Sequence, residues 1–251
     1  MSPSDLGEEL KPFVFLDHFV FGDEPRTPME YLWHPHSGIA TVTVMLEGGV
    51  RFQETTGRSG TLPAGGVEYM QAGNGVWHTG EAEPGSVRGF QLWVALPPEL
   101  ENAPFVSRYA LPREVPEKGP VRVILGEHDG MKSPIPAPPM TYLQVNLKDG
   151  ERWSYQPAIG HDVAFVAVST GRLHASSDVG AGEIALFERS EQAIDLVAED
   201  DTRFVIGSAR KHPHELALGN YSVHSSEEAL AKGEAEIRRI GKQLRVDGVL
   251  R

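Results

Sequence analysis

The sequence predicts an all-β protein made of two tandem β-barrel domains followed by one C-terminal α-helix. The chain of 251 residues contains 27 Gly and 19 Pro, a content that indicates many turns rather than long helices. Its apolar residues fall in short alternating runs, which is the period of strands with one buried face. A chain of this length accommodates two β domains of about 120 residues each.

The strands of the first half are predicted from apolar alternation and β-branched runs bounded by Gly, Pro and Asn. In order, these strands are Phe13 to Phe21, Ile39 to Leu46, Val50 to Glu54, Val67 to Gln71 and Phe90 to Leu96. A polar, proline-rich passage over residues 96–119 then interrupts the β pattern and is the predicted linker. We therefore expect the first barrel within residues 1–110.

The second half resumes the β pattern after this linker. Its predicted strands are Val121 to Leu125, Met140 to Leu147, Val163 to Val168, Glu183 to Phe187 and Arg203 to Gly207. Near the end, Ser225 and Glu228 have the spacing of a helix capping box. The helix that follows has an apolar face at helical spacing, made of Leu230, Ile237, Ile240 and Leu244. We expect the second barrel and the terminal helix within residues 111–251.

Composition argues against several classes of function. The chain has 23 Lys+Arg against 35 Asp+Glu, a net charge of −12, and no basic run, which disfavours direct nucleic-acid binding. It contains no cysteine, so disulfides, iron–sulfur clusters and thiolate-ligated metals are excluded. The N-terminus lacks the pattern of a secretory signal, and no stretch reaches the roughly 18 apolar residues of a membrane span. We expect a cytoplasmic protein, favoured as a monomer, whose metal ligands, if any, are nitrogen and oxygen.

Two histidine motifs predict a metal site in the first barrel. His34 and His36 are two residues apart, so on a strand they project from the same face. His78 follows a glycine-rich turn at residues 73–75 and would arrive from a neighbouring strand. A single His-x-His pair is a weak signal, but three such histidines together indicate a site for a divalent metal.

A further pair, His212 and His214 with Glu215, has the spacing of metal ligands when it is considered alone. It follows a predicted strand and has no partner histidine after a glycine-rich turn. We interpret this segment as a surface loop.

The first histidine motif and its surroundings resemble the pirin family of bicupins. The resemblance begins with His-Pro-His-Ser-Gly-Ile-Ala-Thr-Val-Thr at residues 34–43 and Leu-Glu-Gly at residues 46–48. It continues through Gly65 to His78, which is similar to the second motif of the family, and through Gly89 to Pro97, which is similar to the following strand. The second half matches more loosely, at Val121 to Gly126 and Tyr221 to Glu228.

The resemblance implies two cupin-type β-barrels and one iron-class metal held by three histidines and a glutamate in the first barrel. The histidines correspond to His34, His36 and His78, and Fe is the expected ion, with Mn, Ni, Co or Zn as alternatives. The family has its glutamate two residues after the third histidine, where this chain has Gly80. Glu81 is one position later, so it would act as a ligand only if a bulge restored its direction.

Other positions also depart from the family pattern. Glu83 is the next acidic residue after Glu81. Ser37 and Ala40 stand where family members usually carry an arginine and a glutamate. Both differences remove charge near the predicted metal site.

The activity implied by the resemblance is that of a quercetin 2,3-dioxygenase, which cleaves flavonols. In such a reaction a small phenolic or enolisable substrate binds the metal, and the carboxylate ligand, here Glu81, removes the hydroxyl proton. Two alternatives remain open at this point. The chain could be a non-catalytic regulatory module that binds a protein partner, or a bicupin that has lost its metal.

Overall fold

The computed structural model describes residues 1–22, 31–190 and 192–250, which form two compact units. One unit consists of Met1–Pro112 with His212–Arg251, and the other consists of Arg113–Lys211. The named strands of both units pair antiparallel, which confirms the predicted all-β class. Among the helices of the described residues, none has the length and apolar character that crossing a membrane requires.

The first unit contains two short helices, α1 (Leu6–Leu10) and α2 (Pro98–Glu101), and most of its strands come before residue 112. These strands are β1 (Phe13–Phe21), β2 (Tyr31–His36), β3 (Ile39–Glu47), β4 (Gly49–Glu54), β5 (Ser59–Pro63), β6 (Val67–Gln71), β7 (Val76–Ala82), β8 (Val87–Ala95) and β9 (Val106–Ala110). One sheet has the order β1-β8-β3-β6-β9 and the other has the order β2-β7-β4-β5. Residues from both sheets line a common cavity.

The predicted linker over residues 96–119 is only partly a linker. Its first part contains α2 and β9, and β9 pairs with β6 as the last strand of the five-stranded sheet. Only Ser107 and Ala110 of β9 are buried, so this short strand lacks a clear apolar alternation, and Pro104 and Pro112 flank it in the sequence. The compact first unit therefore extends to Pro112.

The second unit consists of an eight-stranded sheet and a two-stranded hairpin, with a cluster of buried apolar side chains. Its strands are β10 (Glu117–Lys118), β11 (Val121–Leu125), β12 (Glu127–His128), β13 (Met131–Lys132), β14 (Met140–Leu147), β15 (Arg152–Tyr155), β16 (Val163–His174), β17 (Asp178–Gly180), β18 (Ile184–Phe187) and β19 (Ile194–Ala209). The order is β10-β11-β14-β19-β16-β17, with β15 on β19 and β18 on β16, while β12 and β13 form a separate hairpin. The long strand β16 therefore pairs with the short β17 and β18, and the long strand β19 pairs with β14 and the short β15.

The terminal segment belongs to the first unit, whereas the sequence assigned it to the second barrel at residues 111–251. It contains β20 (Ala217–Leu218), β21 (Val223–His224) and α3 (Glu227–Val246). The N-cap of the helix is Ser226, one residue after the predicted cap, because the side chain of Ser226 accepts a hydrogen bond from the Ala229 backbone N–H. The side chain of Ser225 instead donates to Glu101.

Candidate metal centre

The paired strands β2 and β7 bring the three predicted histidines together. His34 lies directly opposite His78, and His36 lies two residues further along the same face of β2. Ligand nitrogens of His34, His36 and His78 all lie within 4.8 Å of one another. The ring centroid of His34 is 4.3 Å from that of His78 and 5.0 Å from that of His36.

The buried members of this triad are neutral and carry unpartnered nitrogens. Burial, together with the nearby His34, lowers the pKa of His36 to about 3, and burial lowers the pKa of His78 well below its ordinary value. Within the described residues, the Nε2 atoms of His36 and His78 are buried and have no hydrogen-bond partner. A buried polar atom without a partner costs about 1–3 kcal/mol. Neutral imidazoles are metal ligands, so the three side chains fit a divalent ion.

A hydrogen bond to the backbone of Tyr221 orients the ring of His36. The Nδ1–H of His36 donates to the Tyr221 carbonyl at 3.1 Å, and this leaves the lone pair on Nε2. Tyr221 has a φ of 63°, a conformation that residues other than glycine seldom adopt. A hydrogen bond to the second ring nitrogen is a common way for proteins to orient a ligand histidine.

Next to this hydrogen bond, a network of buried polar side chains joins Ser37, the residue that follows β2, to the terminal segment. The Ser37 hydroxyl donates to Ser222 at 2.9 Å and lies 3.0 Å from Nε2 of His224, whose Nδ1 is 3.6 Å from Glu101. A serine, histidine and acid in this order resemble a hydrolase triad, but Ser37 is fully buried and no substrate reaches it. A Cβ on Gly233 would lie 2.5 Å from the Ser37 oxygen, so this glycine allows the helix to approach closely.

Glu81 does not join the histidines, so the prediction that it acts as a metal ligand and base is corrected. The pairing of β4 with β7 runs from Val50 to Glu54 without the bulge that this role would require. Glu81 is three residues after His78 and therefore points to the opposite face. Its half-exposed carboxylate pairs with Arg51 at 2.8 Å, and Glu83 approaches the same guanidinium at 3.3 Å. The cavity-facing position is Gly80, which has no side chain to offer.

A cavity of about 840 Å³ lies beside the triad. Aromatic rings dominate its walls, namely Phe15, Phe19, Trp33, Phe52, Trp77, Trp93 and Tyr221. Part of the rim comes from α3, where the Trp77 indole N–H donates to the Ile237 carbonyl at 2.8 Å. Its volume falls within the range of about 300–1,000 Å³ that is typical of pockets for small organic ligands.

Two buried glutamates, one on the cavity wall and one beside the triad, were missed in the sequence. Glu68 lines the cavity, whereas Glu54 lies directly opposite His78 on β4. One oxygen of Glu54 accepts from the Ser107 hydroxyl at 2.8 Å, and the other has no partner in the part of the chain that the structure describes. Burial raises the pKa of both carboxyls. The sequence signal that could have revealed them is the alternation of inward and outward positions along β4 and β6. This alternation puts both acids at inward positions, where a carboxylate is unusual.

In the described part of the chain, the pair His212 and His214 belongs to no cluster of metal-ligating groups. His212 is buried, and its Nε2 donates to the Leu96 carbonyl at 3.3 Å while its Nδ1 accepts from the His214 backbone N–H. His214 and Glu215 are exposed. His212 therefore has a structural role, and the segment is only in part the surface loop that the sequence predicts.

Comparisons with known proteins agree with this fold. The family model described as Pirin matches residues 2–94. A pirin-like protein of Caulobacter vibrioides is 33% identical over 214 residues, which are 79% of this chain and 75% of that protein. The crystal structure of a quercetin 2,3-dioxygenase from Acinetobacter baumannii has a TM-score of 0.87 at 26% identity, over 95% of this chain and 88% of that one.

The bacterial pirin YhhW from Escherichia coli, in complex with nickel(II), has a TM-score of 0.67 at 19% identity. The matched region covers 84% of this chain and 87% of that one, a likeness of fold. Together with the sequence matches, it confirms the bicupin architecture. The chain belongs to the pirin family of the cupin superfamily.

Proposed function

We propose that this pirin binds one divalent metal ion through His34, His36 and His78, and that it acts as a dioxygenase on a small phenolic or enolisable substrate. The observation that carries the proposal is the pair of unpartnered, buried Nε2 atoms on His36 and His78 beside a cavity of about 840 Å³. The likeness to a quercetin 2,3-dioxygenase over 95% of the chain supports the substrate class.

Imidazole ligands suit several ions, of which Fe is the one we expect, and Mn, Ni, Co and Zn are alternatives. A metal with three neutral nitrogen ligands retains open positions and supplies Lewis acidity and, for a redox-active ion, the means to react with oxygen.

The chain itself contributes a shaped and largely apolar cavity. Phe15, Phe52 and Trp93 are among the aromatic side chains of its wall, and such a wall suits a planar aromatic substrate. Polar groups on the wall, among them Gln91 and Glu68, orient its hydroxyl groups. Such a mixture of aromatic lining and few polar groups is typical of small-molecule sites.

The first test is elemental analysis of protein purified without a histidine tag, beside a His34→Ala/His78→Ala double variant. We expect about one metal ion per chain in the wild type and none in the double variant. His214→Ala, an exposed histidine of the same unit that lies outside both clusters of metal-ligating groups in the described residues, is the matched control and should retain the metal. A wild type that stays empty after reconstitution with each ion would refute the metal site.

The second test measures oxygen uptake by the metal-loaded protein with quercetin and with other chelating phenols. The expected result is uptake that depends on both substrate and metal. Metal-loaded protein that consumes no oxygen with any of them would contradict the dioxygenase.

A non-catalytic metal-binding module is the second candidate. It is favoured by Gly80 and by the outward direction of Glu81, which leave the triad without an adjacent carboxylate ligand among the described residues. The two tests separate the candidates, since this module would bind metal and consume no oxygen.

A further inference from the structure

One row of side chains crosses the five-stranded sheet on the face that lines the cavity. Successive cross-strand partners in this row are Asp17, Gln91, Thr43, Glu68 and Tyr109. Directly paired residues share a face of the sheet. The first four of the five also line the cavity. The sheet therefore presents a polar strip to any ligand held among the aromatic walls.

Glu68 is the buried acid of this strip. Only 6% of the residue is exposed, and that part borders the cavity. Its Oε2 accepts from the Thr43 hydroxyl at 2.7 Å, and its Oε1 accepts from the Tyr109 hydroxyl at 3.1 Å. A carboxylate oxygen has two lone pairs, so each oxygen keeps capacity for one more hydrogen bond. The two protein donors fix the group and leave it able to accept from a ligand.

The fold does not require a charged group at this position. A glutamine could accept from Thr43 and fill the same volume, without the cost of burying a carboxylate. Burial raises the pKa of Glu68, opposed by the Thr43 and Tyr109 hydrogen bonds and assisted by the nearby Glu54. An acid whose pKa is moved toward neutrality is suited to general-base work, and such groups cluster at functional sites.

We propose that Glu68 is the proton acceptor for the substrate in this cavity. In this step the O–H bond of a bound phenol or enol breaks, its electron pair stays on the substrate oxygen, and the proton forms a new O–H bond on the Glu68 carboxylate. The assignment rests on the proposed function insofar as it takes the same class of substrate. Glu68 thereby supplies a base to a chain that has Gly80 at the position of the family's glutamate.

The neighbouring acids fit this role less well, and the one that lines the cavity from α3, Glu234, is paired with Arg238 at 2.8 Å. Glu54 is 2% exposed, does not line the cavity, and engages Ser107 with one oxygen. Glu81 is outside the cavity and paired with Arg51. Asp17, at the edge of the row, is exposed to solvent, so it lacks the burial that strengthens a base.

The experiment measures the ionisation of bound quercetin in chelator-treated, metal-free protein under anaerobic conditions. The wild type and all variants are compared at the same pH. Deprotonation of a flavonol moves its absorption band to longer wavelength, while quenching of tryptophan fluorescence reports binding independently. The variants are Glu68→Gln, Glu54→Gln and, as a matched control, Glu47→Gln. Glu47 lies on β3 in the same sheet, is 47% exposed and pairs with Arg88.

We expect the band of ionised quercetin in wild type, Glu47→Gln and Glu54→Gln, and its loss in Glu68→Gln with quercetin still bound. Retention of the band in Glu68→Gln, its loss in Glu54→Gln alone, or its absence from wild type would each overturn the assignment. Because no metal or oxygen is present, failure of metal binding or of oxygen uptake in the earlier tests leaves this readout intact. The two proposals can therefore fail separately.

Discussion

The two units have similar antiparallel sheets but very different interiors. The second unit has a large cluster of buried hydrocarbon and aromatic side chains, among them Val123, Leu143, Val145, Tyr155, Val166, Phe204 and Ile206, and the cavities of about 300 and 260 Å³ that its residues line are far smaller than that of the first unit. The first unit instead contains a cavity lined by the buried Glu68 and by two of the three clustered histidines, together with several buried polar atoms that have no partner among the described residues. The difference teaches that one β scaffold serves as a packed core or as a site, depending on which residues occupy its inward positions.

The largest expected effect concerns the packed interior. Phe204→Ala removes a fully buried ring from the second unit, and we expect a loss of about 3–5 kcal/mol in the free energy of unfolding. The matched change in the first unit is Phe52→Ala, whose half-buried ring faces the cavity and stacks on Tyr109. Its removal should cost only about 1 kcal/mol, because the ring already borders empty space. Urea denaturation measures both, and equal losses would contradict the contrast between the interiors.

A second prediction uses the pH dependence of the metal-free first unit. The folded pKa of His36 is about 3, below its ordinary 6.5, so its neutral form is favoured by folding. Its contribution to stability is complete above pH 6.5 and is lost as the pH falls toward 3. At pH 5 the loss is about 2 kcal/mol, since one pKa unit corresponds to about 1.36 kcal/mol.

His36→Gln removes this titration. The difference in unfolding free energy between wild type and His36→Gln should therefore fall by about 2 kcal/mol between pH 7.5 and pH 5. Urea denaturation of chelator-treated protein at both values measures it. A difference that does not change with pH would show that the imidazole is not held neutral by burial.

A third prediction tests whether the site costs the first unit stability. Glu68→Gln should raise the free energy of unfolding at pH 8 by about 1 kcal/mol, in the range typical of replacements at functional positions. The folded pKa of Glu68 is raised by burial, so wild type regains stability as the pH falls through that value and the advantage of the variant shrinks. Denaturation at pH 8 and pH 4 measures both. A variant less stable than wild type at pH 8 would identify Glu68 as a structural residue.

The sequence predicts those parts of the molecule that depend on the local periodicity of apolar residues and on the spacing of residues along a strand. Alternation identifies the central strands, and the spacing of His34, His36 and His78 identifies the triad. The role of metal ligand was wrongly assigned to Glu81 because the direction of a side chain on a strand depends on register. The pairing of β4 with β7 contains no bulge that would turn this side chain toward the histidines. Glu54 and Glu68 were missed because only the pairing of sheets reveals which face lines a cavity. The terminal helix was assigned to the wrong unit because a sequence of helical period does not specify its partner.

The smallest expected effect tests the direction of Glu81. Glu81→Ala removes an exposed carboxylate that pairs with Arg51 at 2.8 Å on the outer face of β7. Exposed ion pairs contribute about 0–1 kcal/mol, and Glu83 remains near the same guanidinium, so we expect a loss below about 0.5 kcal/mol. Metal content by elemental analysis should equal that of wild type, whereas a ligand would be required for full occupancy. A fall in metal content at unchanged stability would mean that β7 shifts register when metal binds, and it would return Glu81 to the site.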